Sequence, residues 1–214
     1  MPNSHETRPL VLGLTGGMAA GKSLVGKMLQ AFGVPVWDAD AAAKSLYRSD
    51  AILREAVLNQ WGEDYALTDA DGRAYDLDRA KLAALIFTDD EAKLWLESKV
   101  HPAVSRVFDV WCTSHGVGAS YIVREAAILF ESGTHEGCDW TATVEAPEAL
   151  RIQRALHRPG SEARTKEDVL RRMSLQWSRE ERARHADFVI ENDGRPLLAQ
   201  VLALHQRMMQ KVKA

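Results

Sequence analysis

The sequence predicts an α/β fold, a parallel sheet flanked by helices, and three observations lead there. Leu10-Val11-Leu12-Gly13-Leu14 is a short apolar run that passes into a glycine-rich loop and then into an amphipathic helix with Leu24, Val25, Met28, Leu29 and Phe32, the order of a buried strand, a turn and a helix packed back on it. Further short apolar runs at 34–37, 120–123, 140–144 and 187–190 alternate with helical segments, as parallel strands joined by crossovers do. Residues 51–116 carry apolar positions at helical spacing and no convincing strand, so they are expected as a helical insertion within a core spanning 9–50 and 117–214.

The loop itself, Gly16 to Ser23, fits G-x-x-x-x-G-K-[ST]. Glycines let successive backbone N–H groups turn inward around an anion. A helix starting near Gly21 aims its N-terminal dipole and unpaired N–H groups at the same spot. Lys22 is of a length to reach β- and γ-phosphates, and the Ser23 hydroxyl suits Mg²⁺. The candidate nucleotide-binding residues are therefore Gly16, Gly17, Met18, Ala19, Ala20, Gly21, Lys22, Ser23 and Leu24.

Beyond the loop, the first helix is expected to stop at Gly33, a good residue for a helix end. Val34–Trp37 is a short strand, and Asp38-Ala39-Asp40 stands at its carboxyl end, where open α/β sheets bind ligands. Asp40 has two readings: a cap for a helix over 41–47, or a carboxylate that accepts a proton from an attacking hydroxyl or orients metal-bound water. In the insertion, helices are expected over 51–60, 79–87, 91–100 and 102–115, with turn chemistry at 68–73. His101-Pro102 is its most pointed feature, and a lone histidine is more often structural than functional.

The sheet resumes at 120–123 and ends at Arg124-Glu125, where phosphate-loop proteins place an acid near the metal. The strand 140–144 leads to Glu145-Ala146-Pro147, and Pro147 suits the first turn of a helix. Arg151, Arg154 and Arg158 then precede Pro159-Gly160. A lid over about 155–180 is expected from this basic segment, with Arg154 and Arg158 neutralising charge on a transferring phosphoryl group while closure excludes water. A solvated helical hairpin is the alternative reading of the same charges. The strand 187–190, the loop 191–194 and an amphipathic helix over 195–213 finish the chain.

The balance of the 214-residue chain, with 46% hydrophobic and 27% charged residues and a net charge of −3, suits a globular core and argues against bulk nucleic-acid binding. Cys112 and Cys138 make no disulfide framework or metal set. The polar Met1–Pro9 segment and the lack of a long apolar run lead to the expectation of a soluble, cytoplasmic protein without a membrane partner. A nucleotide-gated switch is the rival from another class: Asp69-Ala70-Asp71-Gly72 matches D-x-x-G, and Thr165-Lys166-Glu167-Asp168 resembles [NT]-K-x-D. The first lies in a turn of the insertion. The second reads better as a capping Thr165 with acids in the first helical turn. A small-molecule or nucleotide kinase fits better.

Gly13 through Gly17, Gly21-Lys22-Ser23, Asp38-Ala39-Asp40, His101-Pro102, Leu129-Phe130-Glu131, Arg154 with Arg158, Arg172 with Gln176, and Ala186-Asp187 through Asn192-Asp193-Gly194 together resemble the dephospho-CoA kinase family. The resemblance spans nearly the whole chain in order. It implies ATP-dependent phosphorylation of the ribose 3′-hydroxyl of dephospho-CoA, a P-loop kinase core, a helical CoA-binding subdomain and a lid. It further implies Asp40 as catalytic base, with Asp40, His101, Glu125 and Leu129 on the acceptor side. Asn192 and Gly194 would lie near adenine, and Ser23 would hold Mg²⁺. The expected partners are dephospho-CoA and ATP, in a monomer or weak homo-oligomer. The chain departs from the family pattern at Ala19-Ala20, Leu24 and Ala127.

Overall fold

The computed structural model describes residues 8–157 and 165–211. Along the chain run β1 (Leu10–Gly16), α1 (Lys22–Ala31), β2 (Val36–Asp38), α2 (Ala39–Ser49), α3 (Ala51–Trp61), β3 (Ala66–Thr68), β4 (Ala74–Leu77), α4 (Arg79–Thr88) and α5 (Asp90–His115). There follow β5 (Tyr121–Glu125), β6 (Trp140–Glu145), α6 (Glu148–Leu156), α7 (Lys166–Met173), α8 (Arg179–His185), β7 (Phe188–Glu191) and α9 (Leu197–Lys211). The chain divides into two compact units, one holding residues up to Asp38 and from Trp111 on, the other Ala39–Val110.

In the first unit, β2-β5-β1-β6-β7 form a parallel sheet in that order. β1 is central, with Leu10 to Leu14 in register with Tyr121 to Glu125 on one side and Leu12 to Gly16 with Trp140 to Val144 on the other. A strand covered on both faces must be apolar throughout, which is why β1 shows no alternation and is buried from Val11 to Gly16. The chain passes to β2 on one side of β1 and later to β6 on the other. The carboxyl end of β1 is therefore the switch point, where ligands bind in such sheets. Leu12, Leu14, Val25, Leu29, Tyr121, Val123, Val144, Ile190, Val201, Leu204 and Met208 form one buried core. α1 and α9 contribute Val25 and Leu29, and Val201, Leu204 and Met208, each set at helical spacing.

The second unit opens with α2. The helix begins at Ala39, so Asp40 sits within the first turn and not at a cap over 41–47. A carboxylate there still complements the helix dipole. Asp50 accepts from the Leu53 N–H at 3.0 Å, and Asp78 from the Ala80 and Lys81 N–H groups at 3.0 and 3.1 Å, so side chains cap α3 and α4. Two expectations need correction. The insertion is not strand-free, because β3 and β4 form an antiparallel hairpin. Its turn is closed by Asp69 Oδ1, which accepts from Asp71 and Arg73 N–H groups at 3.0 and 2.9 Å. Strands of three and four residues are too short to show a period of two. The separate helices 91–100 and 102–115 are one helix, α5, with Pro102 inside it. Proline removes one N–H and displaces the Ser98 carbonyl, and both Ser98 and Pro102 are exposed, so water can satisfy that carbonyl.

In the first unit, burial pushes the Cys138 thiol up to about 11. The unfolded thiol, near 9, ionises first, so stability is lost as pH rises above about 9. Denaturant unfolding at about pH 8 and 10.5 should show the Cys138→Ala variant losing less stability over that interval than the parent. Equal losses would contradict the partly buried, protonated thiol.

Candidate active site

The loop after β1 holds a conformation few residue types accept. Gly21 has φ +107, and a Cβ there would stand 2.3 Å from Asn192 Nδ2, so only glycine fits. Ala19 adopts φ +60, a left-handed conformation that costs a non-glycine residue about 1 kcal/mol or more. Strain of this kind collects at ligand sites. No side chain caps α1, which leaves its first-turn N–H groups to an anion.

Lys22 and Ser23, the first residues of α1, share one partner. Lys22 Nζ lies 2.9 Å from Glu125 Oε1, and Ser23 Oγ donates to the same oxygen at 2.8 Å. Glu125 ends β5 and is 5% exposed, so its charge must be answered by protein or ligand. Gly26 makes room for it, since a Cβ there would meet Glu125 Oε2 at 2.7 Å. A hydroxyl and a carboxylate at the base of a phosphate loop are oxygen donors of the kind Mg²⁺ takes, the remaining positions going to phosphate and water. Among the described residues no group of three or more His, Cys, Asp or Glu could hold a metal by itself.

Side chains from outside the motif fasten the loop. Asn192, just past β7, donates through Nδ2 to the Ala20 carbonyl at 2.7 Å, and its own N–H donates to the Glu145 carbonyl at 2.7 Å. Arg154 on α6 reaches Ala20 O at 3.4 Å and Asn192 O at 3.2 Å. Gln176 accepts from the Met18 N–H at 2.7 Å and donates to Ala127 O at 2.8 Å. Arg154, expected on transferring phosphate, is thus placed at the rim of the loop. Gly194 lies in the same terminal loop, at φ +106.

One ion pair was not legible in the sequence. Arg182 donates from Nε to Glu145 Oε1 and from Nη2 to Oε2, both at 2.8 Å. Thr143 Oγ1 donates to Oε1 at 2.6 Å, and Arg182 also meets the Trp177 carbonyl. Arg182 is 1% and Glu145 0% exposed, so removing either partner would strand a buried charge. The available signal was an acid ending an apolar strand, Glu145 after Val144; nothing local points from it to Arg182.

The remaining expectations fall differently. Leu129 is 0% exposed and packs on Gly13, whose Cβ would lie 2.7 Å from Leu129 Cδ2. Its side chain serves the packing of β1. Leu24 is exposed. Asp40 and His101 belong to the second unit, Asp40 two residues past the end of β2 and His101 within α5. Arg158 and the middle of the expected lid lie outside the described residues. Thr165 caps α7, accepting from the Asp168 N–H at 3.1 Å, so the fragment resembling [NT]-K-x-D is a helix start. Among the described residues no helix is long and apolar enough to cross a membrane.

Comparison with known proteins agrees with this arrangement. The family model for dephospho-CoA kinase matches residues 10–197. A dephospho-CoA kinase from Methylococcus capsulatus is 40% identical over 200 residues, covering 92% of this chain and 96% of that protein. One from Chlorobium chlorochromatii is 34% identical over 206 residues, 95% of each chain. A crystal structure from Thermus thermophilus superposes with a TM-score of 0.80 at 31% identity, covering 94% of this chain and 98% of that one. With a phosphate loop at the switch point of a parallel sheet and a match along nearly its whole length, the chain belongs to the dephospho-CoA kinase family.

Proposed function

We propose that the protein transfers the γ-phosphoryl group of ATP to the ribose 3′-hydroxyl of dephospho-CoA, giving coenzyme A and ADP. The observation that carries this reading is the Lys22–Glu125–Ser23 cluster beneath the loop, in a chain whose family match runs over residues 10–197. The bond formed joins the 3′-oxygen to phosphorus. The bond broken joins phosphorus to the oxygen bridging to the β-phosphate, and ADP leaves with that oxygen.

The loop N–H groups and Lys22 hold the β- and γ-phosphates in line for attack. Lys22 exchanges its contact with Glu125 for one with phosphate at little cost, because both partners are anionic oxygens. Ser23 and Glu125 would hold Mg²⁺, directly or through water, and the ion would supply charge neutralisation for the triphosphate. Asp40 accepts the 3′-hydroxyl proton. Asn192 and Gly194 border the adenine side, and Arg154 keeps the loop rim in register with them. His101 and the second unit serve the acceptor. Lid closure over about 155–180, with Arg158, excludes water that would otherwise take the phosphoryl group. A soluble cytoplasmic monomer or weak homo-oligomer completes the reading.

Two variants test the division of labour. Asp40→Asn should bind ATP like the parent while turnover falls about 10²–10⁴-fold, the usual worth of a positioned base; unchanged turnover would remove Asp40 from that role. Lys22→Ala should weaken ATP binding and turnover together, as read by titration calorimetry and steady-state kinetics. For the acceptor, ADP release from MgATP is followed with dephospho-CoA, AMP, nucleosides and no acceptor. Stimulation by dephospho-CoA alone is expected. Stimulation by another acceptor would assign a different kinase reaction, and no stimulation would favour a nucleotide-gated binding protein.

A further inference from the structure

Arg151 lies one turn into α6 and is 9% exposed. A Cβ on Gly17 would stand 2.6 Å from Arg151 Nη1 and 2.8 Å from Arg182 Nη2, so two guanidinium groups rest against the second residue of the phosphate loop. A single buried carboxylate, Glu145, faces them, and Arg182 occupies both of its oxygens. The Arg151 side chain makes no hydrogen bond to a described residue, and its Nε is buried without a partner. Burial, then the Arg182 charge, hold the Arg151 guanidinium below the usual arginine range, against weaker support from Glu145 and Glu148. Arginine nevertheless stays charged. A largely buried cation with no carboxylate of its own is costly in the nucleotide-free protein, and the opposite charge that would answer it is the one the loop is shaped to bind.

We propose that Arg151 is a positioning residue for the donor polyphosphate: packed on Gly17, it adds a positive charge behind the loop that Glu145 leaves unpaired and that bound phosphate neutralises. This rests on reading Gly16–Ser23 as the triphosphate site. Arg151 acts through the Gly17 backbone and through its field, and it does not touch the transferring group. Its loss therefore appears in affinity for phosphates and not in the chemical step. Arg182 cannot take over this role, because its charge is already spent on Glu145.

The test compares the parent with Arg151→Gln, Arg151→Met and Arg151→Lys in the full chain. Inorganic tripolyphosphate binding is measured by calorimetry at two salt concentrations, and KM is measured separately for ATP and for dephospho-CoA. Gln and Met should weaken tripolyphosphate binding about tenfold, a difference of about 1.4 kcal/mol, and flatten its salt dependence. KM for ATP should rise similarly, with KM for dephospho-CoA unchanged and Lys restoring most of the affinity. If Gln fails to fold, Met, which keeps the apolar stem, carries the comparison. Tripolyphosphate affinity within twofold of the parent in the neutral variants would overturn the proposal. So would equal rises in both KM values, or a Lys variant no better than Met, since each is the mark of packing alone. The tripolyphosphate measurement involves no acceptor, so a parent that transfers nothing to dephospho-CoA defeats the kinase reading without deciding this one.

Discussion

The contact on which the donor half of the site depends is the one between Asn192 Nδ2 and the Ala20 carbonyl, at 2.7 Å. A phosphate loop works only if its N–H groups converge before the anion arrives, because ordering them afterwards would consume binding energy. Its own sequence cannot hold it there: glycines and a left-handed Ala19 favour no single conformation. The conformation comes from outside. Asn192 fixes the carbonyl just before Gly21, Arg154 supports both, and Gln176 holds the Met18 N–H. Gly21 lacks a side chain because Asn192 occupies the space where one would stand.

These ties explain why the site sits where it does in the sheet. β6 and β7 end in register, Glu145 opposite Glu191, and Asn192 follows directly, so the terminal loop is delivered to the carboxyl end of β1. The Glu145–Arg182 pair fastens α8 to the end of β6 in the same region. A buried ion pair contributes little net stability, yet breaking it by removing one partner costs about 3–5 kcal/mol. Its value here is placement: it presents Arg182 to Gly17 and, through the Trp177 carbonyl, steadies the turn that carries Gln176. Arg151 adds a charge to this arrangement without a carboxylate to match.

Much of this was legible in the sequence, for identifiable reasons. β1, β5 and β6 are apolar enough to declare themselves, and the loop motif carries its own chemistry. α5 was split because proline is a strong local signal, and one lost hydrogen bond proved too little to interrupt a long helix with exposed residues at the break. The β3–β4 hairpin was missed because its strands are shorter than the pattern that reveals strands. Glu125 was readable at a strand end, but its shared contact with Lys22 and Ser23 was not. Glu145 with Arg182, and both arginines on Gly17, join residues far apart in sequence, and no local pattern encodes such contacts.

The central claim is that the loop is preformed by contacts from beyond its own motif. Hydrogen exchange at Ala20 to Ser23 in the nucleotide-free Asn192→Ala variant tests it most directly. The account predicts that these amides exchange faster than in the parent, with the core strands still protected, and that ATP binds about tenfold more weakly, the loss of roughly one well-made hydrogen bond to a buried group. Exchange in the loop equal to that of the parent, with ATP affinity unchanged, would contradict it.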